Sequence, residues 1–256
     1  MVRFSGLLLV FLLTSLDSHA EERSPVLVEL FTSEGCSSCP PADAALENLA
    51  RGQPVRGAEI IPLGFHVDYW NQLGWADAYS SPDFSLRQEN YSEAFGGDRI
   101  YTPQMVVDGS SEFVGDESLA IKAIARASKQ PKAGIRMTLA PRCELSSSVK
   151  LTVPQLSTPP TGDGTELFIA VTESALVSRV ARGENAGRTL RHTAVVRQLR
   201  SLGEVNRGPN SSVTSTQLSL DKEWKRGAIQ VVAFLQEKRS RRILGATAQP
   251  LCEAGP

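Results

Sequence analysis

Residues 29–43 read ELFTSEGCSSCPPAD. Two cysteines, Cys36 and Cys39, stand three positions apart, and two prolines follow at once. Before them, SPVLVELFTS (24–33) alternates Val26, Val28 and Leu30 with Leu27, Glu29 and Phe31, the pattern of a short buried strand. After them, ADAALENLA (42–50) sets Ala42, Ala45, Leu46 and Leu49 on one helical face. Cysteines at this spacing, just after a strand and at the start of a helix, have close sulfurs. The first sulfur faces unpaired helix N–H groups, which favours thiolate, the nucleophile of disulfide exchange. As a staple, a bond in so small a loop removes little chain entropy. As half of a zinc site, the pair needs two more ligands. The remaining cysteines, Cys143 and Cys252, form no second close pair. Soft thiolates also suit copper(I), with Met105 or His66 to complete the site.

The rest of the chain gives this stretch its setting. The chain has 256 residues, 41% apolar and 21% charged, with a net charge of -1. That composition is globular and carries no basic excess, so nucleic acid is not an expected partner. Arg3 precedes the apolar run GLLLVFLLTSL, and Ser18 and Ala20 supply small residues for cleavage. Residues 1–20 therefore read as a secretory signal rather than a membrane span. The chain left after cleavage is expected to be secreted or periplasmic, not integral to a membrane, in a compartment where disulfides persist.

AEIIPLGFHVDYW (58–70) reads as a second strand. In SPDFSLRQENYSEAFGG (81–97), Ser81 is a cap, Pro82 takes the first helical position and the two glycines end the helix. IYTPQMVVDGS (100–110) and SEFVG (111–115) are strands joined by an Asp108–Gly109 turn, and DESLAIKAIARASKQ (116–130) is an amphipathic helix. Past Pro131, short alternating runs are separated by turn-rich stretches such as STPPTGDG and NRGPNSS. The expected architecture is thus an α/β domain over 21–132, with an inserted helical segment at about 70–97. An all-β, sandwich-like domain over 133–256 follows it.

The order strand, CxxC, helix, strand, then Thr102–Pro103 entering a strand resembles the thioredoxin superfamily over residues 25–131. The resemblance implies a thioredoxin-like α/β domain with Cys36 as nucleophile, Cys39 as resolving thiol and Pro103 as a cis-proline facing them. It also implies that Tyr101 and Thr102 sit beside the substrate. More narrowly, ELFTSEGCSSCPPAD with HVDYW and YTPQMVVDG resembles a family of secreted bacterial thioredoxin-like proteins of unassigned function. That likeness extends to GENAGRTLRHTAVVR. Ser37 and Ser38, between the cysteines, announce neither an oxidant nor a reductant. Pro40 and Pro41 predict a first helical turn that is loosened or starts late.

Several other residues are candidates. His66 and Asp68 share a strand face. One of them could take the proton of the resolving thiol, or they are a satisfied histidine and a turn cap. Trp70 and Trp75, in a turn, are candidates for a groove receiving an apolar substrate segment, whereas Phe84, Tyr91 and Phe95 follow helix periodicity and read as packing. Cys143 and Cys252 are expected to form a structural disulfide, with a second redox relay as the rival reading. ARGENAGRTLRH (181–192) reads as a polar turn between strands, as a segment docking onto the first domain, or as an anion site through Arg188. The expected function is a secreted thiol–disulfide oxidoreductase acting on protein disulfides or with a redox partner protein, needing no organic cofactor. The alternatives are a non-enzymatic copper(I) binder and a redox-dead adaptor.

Overall fold

The computed structural model describes residues 23–154, 164–205 and 211–253. The expected signal segment lies outside them, as do most of STPPTGDG and NRGPNSS. Strand β1 (Ser24–Thr32) runs parallel to β2 (Ala58–His66), in register from Ser24 opposite Ala58 to Thr32 opposite His66. Helix α1 (Pro40–Gly52) makes the crossover between them. It begins at Pro40, with Cys39 as its N-cap, so the prolines do not delay it. They occupy the first turn, where an N–H would have no intrahelical partner, and Ala42 N–H and Asp43 N–H already donate to the Cys39 carbonyl. Helix α2 (Pro82–Ala94) is capped by the Ser81 side chain, which accepts from Asp83 N–H. Strands β3 (Gln104–Val107) and β4 (Ser111–Val114) follow, each antiparallel to its neighbour, and then helix α3 (Glu117–Ala127).

Beyond residue 131 the chain forms β5 (Arg136–Ala140), β6 (Ser146–Val153), β7 (Thr165–Glu173), β8 (Leu176–Arg179), β9 (Thr189–His192), β10 (Val195–Glu204), β11 (Ser212–Ser219), β12 (Ile229–Glu237) and β13 (Ile243–Pro250). These strands do not all stand apart from the first half. One eight-stranded sheet has the order β13-β12-β7-β10-β2-β1-β3-β4, so the junction at 131–134 does not divide it. The seam is narrow. Val195 pairs with Gly64, and Gly64 N–H donates to the Ala194 carbonyl at 2.8 Å. A Cβ at Gly64 would stand 3.2 Å from the Thr193 carbonyl oxygen, so the close approach of the two backbones explains a glycine inside this strand.

Strand periodicity sorts the side chains. On β1, Val26, Val28 and Leu30 pack with Leu46 and Leu49 of α1 and with Ala120 and Ile124 of α3. Leu27 and Phe31 turn to the other face and join Phe65, Phe84, Tyr91, Val196 and Phe234. That second core runs under α2 across both halves of the sheet. A three-stranded sheet, β11-β6-β5, covers the far half of the first face, where Leu151 and Val149 meet Ile169, Val231 and Leu235. Among the described residues past 133, two β layers face each other, and one of them continues into the first half of the chain.

Within the shared core lies a charged knot. Glu29, buried on β1, accepts from Arg87 Nε of α2 at 2.7 Å and from the Tyr91 hydroxyl. The Arg87 guanidinium lies 5.4 Å from the Phe65 ring centroid and 5.3 Å from that of Phe234. Its Nη1 donates to Gln236 Oε1 of β12 at 3.1 Å, and Gln236 Nε2 returns a bond to the Tyr91 hydroxyl. Burial is the main reason the Tyr91 phenol is pushed well above its ordinary value, and the Glu29 charge adds to it. This knot ties β1, α2 and β12 together.

The Asp108–Gly109 turn docks onto the second half. Both residues have positive φ, 49° and 59°. Asp108 Oδ1 accepts from Leu27 N–H, and its other oxygen pairs with Lys132. A Cβ on Gly109 would stand 1.9 Å from the Arg241 carbonyl oxygen, a backbone atom that cannot swing aside. Gly109→Ala should therefore cost about 1–3 kcal/mol of unfolding free energy, as overpacking does. A urea midpoint equal to that of the wild type would contradict this packing.

Candidate functional site

The C-terminal end of β1 delivers Thr32, Ser33, Glu34 and Gly35 to the cysteine loop. Cys36 and Cys39 form a disulfide with their Cα atoms 5.4 Å apart. Cys36 N–H donates to the Ser33 carbonyl and Cys39 N–H to the Cys36 carbonyl, two tight turns that lead into α1. Both cysteines are 0% exposed, and only Ser37 and Ser38 reach solvent. Disulfide exchange needs an accessible first sulfur, and this closed arrangement does not present one.

The structure shows what covers it. Trp70 sits against Gly35, where a Cβ would lie 3.3 Å from the Trp70 Cβ, and its Nε1–H donates to Thr102 Oγ1 at 2.8 Å. The segment 182–188, the tip of the β8–β9 hairpin, closes from another side. Asn185, fully buried, donates through Nδ2 to the carbonyls of Glu34 and Cys36, each at 2.9 Å. Glu184 Oε2 accepts from Ser37 N–H at 3.0 Å. Of the readings of residues 181–192, docking onto the first half describes these contacts, and Arg188 donates to Asn185 Oδ1 within the tip. Pro103 is buried after a cis Thr102–Pro103 peptide, directly before Gln104, which pairs with Phe31 at the same end of β1 as the cysteine loop. Tyr101 turns to the edge, where its hydroxyl donates to Glu112. Burial, followed by the Glu112 carboxylate, raises its phenol.

A buried cluster of ionisable groups adjoins the loop. His66 Nδ1 contacts Asp77 Oδ2 at 2.6 Å, and the same oxygen accepts from Glu34 N–H at 2.8 Å. Glu34 Oε2 accepts from Trp75 Nε1–H at 2.7 Å, and its other oxygen lies 3.2 Å from His192 Nε2. The His66 and His192 rings meet edge to face at 4.9 Å, with the Tyr79 ring against both. Asp43 stands one helical turn beyond Cys39, on the same face of α1. Burial dominates there and raises its carboxyl above the usual carboxylate value, against the pull of His66 and His192. For Glu34 and Asp77, burial pushes upward too, but His192 in the one case and His66 in the other bring the net shift down. Burial opposes charge on His66, yet Asp77, Asp43 and Glu34 outweigh it, and its value is raised.

Of the residues expected at the site, His66 is beneath the loop, whereas Asp68 is not. Its carboxylate accepts from Ser85 Oγ on α2, and its N–H donates back to the same hydroxyl, so it ties the end of β2 to α2 rather than to the cysteine loop. Trp75 serves Glu34 rather than an open groove, and Trp70 covers the loop. Met105 packs in the core between β1 and the α1–α3 face. Among the described residues no group of three His, Cys, Asp or Glu side chains is arranged to hold a metal ion. Glu34, Asp43, Asp77, Asn185 and His192 went unrecognised in the sequence. Glu34 and Asp43 lie inside the opening motif and could have been read from it. His192 and Asn185 come from the β8–β9 hairpin, about 150 positions away in sequence, and meet the loop by direct contacts that no local pattern announces. Cys143, between β5 and β6, and Cys252, after β13, form a disulfide across 109 positions.

The His66–Asp77 pair sets a pH dependence. The histidine's contribution to stability is full below pH 6.5 and is lost as pH rises through its raised folded value. That of Asp77 is present above pH 3.8 and is lost as pH falls through its lowered folded value. The pair therefore stabilises most between these limits. The difference in unfolding free energy between wild type and His66→Gln should shrink as pH climbs above 6.5 through the raised folded value of His66, while a flat difference would contradict the charged pair.

A family described as "Protein of unknown function (DUF1223)" matches residues 27–236. A crystal structure of protein AGR_C_4864 from Agrobacterium tumefaciens is similar at 25% identity and a TM-score of 0.69, covering 93% of this chain and 99% of that one. HBP35 of Porphyromonas gingivalis is similar in fold, at 18% identity and a TM-score of 0.68, over 91% of this chain and 77% of that one. No curated protein matches by sequence.

Proposed function

The chain belongs to the DUF1223 family, proteins of unknown function, and for it we propose a thiol–disulfide oxidoreductase on a thioredoxin-like arrangement, working outside the cytoplasm on protein disulfides. The observation that carries the reading is the Cys36–Cys39 disulfide at the start of α1, with Asp43 one helical turn on from Cys39 and His66 linked to the loop through Asp77. The small loop is poor value as a staple, and the helix start stabilises a thiolate when the bond is open. The parallel β1–α1–β2 unit with β3 entering after Pro103 supports the thioredoxin-like comparison.

In the reduced protein, Cys36 thiolate attacks one sulfur of a substrate disulfide. The substrate S–S bond breaks, its second sulfur leaves as thiolate and takes a proton, and a mixed disulfide forms. Cys39 then gives its proton to the Asp43 carboxylate and attacks the Cys36 sulfur. The Cys36–Cys39 bond re-forms, the substrate leaves with two thiols, and two electrons have moved to it. The reverse sequence oxidises a dithiol substrate. Asp43, with its raised carboxyl value, suits the proton acceptor's role better than Asp68, which is engaged by Ser85. The test is multiple turnover: catalytic amounts of the protein, with glutathione as the electron source or sink, should speed reduction or oxidation of a disulfide-containing test protein. A rate no greater than that of Cys36→Ser would overturn the assignment.

A further inference from the structure

Disulfide exchange requires in-line approach to a sulfur, yet neither sulfur of the proposed site is exposed. Something must move, and the contacts around the loop differ in how easily they can be released. The cysteines' inner side is formed by α1, β1 and β2, which belong to the sheet and its cores. The outer side includes the tip of a hairpin, β8–β9, that forms a two-stranded sheet of its own. Isolated two-stranded hairpins are marginal structures, and local opening concentrates in such units.

The tip is built as one piece. Val180 N–H donates to the Arg188 carbonyl and its own carbonyl accepts from Gly187 N–H, Ala186 N–H donates to the Gly183 carbonyl, and Arg188 Nη1 donates to Asn185 Oδ1 at 3.0 Å. Its neighbours Arg182, Gly183, Glu184, Ala186 and Gly187 are all exposed. Asn185 alone is driven inward, and its amide spans the carbonyls on either side of Gly35. Glu184 adds the bond to Ser37 N–H, the residue directly after the first cysteine. These bonds all run from the tip to the backbone of residues 34–37, and they involve no element of the main sheet.

Resting on the reading of Cys36–Cys39 as an exchangeable pair, we propose that segment Arg182–Arg188 is a latch, fastened by Asn185 and Glu184, that must lift before a disulfide or thiol reaches Cys36. The latch makes access conditional. A partner that competes for the Ser37 N–H and the Glu34 and Cys36 carbonyls gains entry, and bulk thiols are largely kept out. The Glu184 carboxylate also sets a negative charge beside the loop, which opposes thiolate at Cys36 while the latch is closed.

The test uses a small dithiol reductant, so it is independent of any protein substrate. Dithiothreitol gives up two S–H protons and two electrons and closes into a cyclic disulfide, and Cys36 and Cys39 become thiols. The rate is read by quenched alkylation of the full chain under native conditions. Loss of two hydrogen bonds at a fully buried side chain raises the open population about tenfold or more, so Asn185→Ala should be reduced about tenfold faster than wild type. Glu184 is exposed, so Glu184→Ala keeps the fold and should be reduced about threefold faster. It decides alone if Asn185→Ala does not fold. Reduction of Glu184→Ala, and of Asn185→Ala where folded, within about twofold of wild type would overturn the latch and point to entry past Trp70. Faster reduction without turnover of a protein disulfide would leave the latch standing and count only against the oxidoreductase reading.

Discussion

Cys39→Ala should accumulate as a mixed disulfide through Cys36, and Cys36→Ala should lose exchange by about three orders of magnitude or more. The reasoning is chemical. With Cys39 gone, Cys36 can still attack a substrate sulfur, but nothing inside the protein displaces it again, so the intermediate waits for an outside thiol. With Cys36 gone, the remaining thiol lies at the N-cap of α1 with its side chain buried, and no partner sulfur is left to close the cycle. Covalent partners retained on non-reducing gels, with their masses read after release, check the first expectation. Trapping by Cys36→Ala rather than by Cys39→Ala would reverse the two roles.

Arg87→Met should be the most destabilising single change in the shared core, at about 3–5 kcal/mol, because it leaves the buried Glu29 carboxylate without its cation. The guanidinium also fills the space among Phe65, Tyr91, Phe168 and Phe234, and methionine replaces only part of that contact. The double variant Glu29→Gln/Arg87→Met removes the stranded charge and should recover part of the loss. Urea denaturation of the three proteins measures both effects. Equal stabilities of wild type and Arg87→Met would show that the knot contributes nothing to joining the two halves.

Local order was legible where one residue's neighbours in sequence are also its neighbours in space. The alternation in residues 24–33, the Ser81–Pro82 helix start and the Asp108–Gly109 turn each encode their element within a few positions. What could not be read was association across long separations. Val195 opposite Gly64 merges two sets of strands into one sheet, yet a single glycine in a strand is a weak sign of close approach. The charged knot has the same character, since Arg87 lies 58 and 149 positions from its partners Glu29 and Gln236. At the site, the cysteine pair announced itself by spacing, but its burial did not. Asn185 and His192, which seal and support the loop, come from a stretch whose glycine-rich polarity has the composition of an ordinary surface turn.

The most direct test of the central claim is the redox equilibrium of Cys36–Cys39 in the folded wild-type protein, read by alkylation and mass after incubation in graded glutathione mixtures. An exchangeable pair converts fully between about -120 and -270 mV while Cys143–Cys252 stays oxidised and the fold persists. A Cys36–Cys39 bond that resists reduction to below about -300 mV, or opens only as the chain unfolds, would mark it as a structural bond.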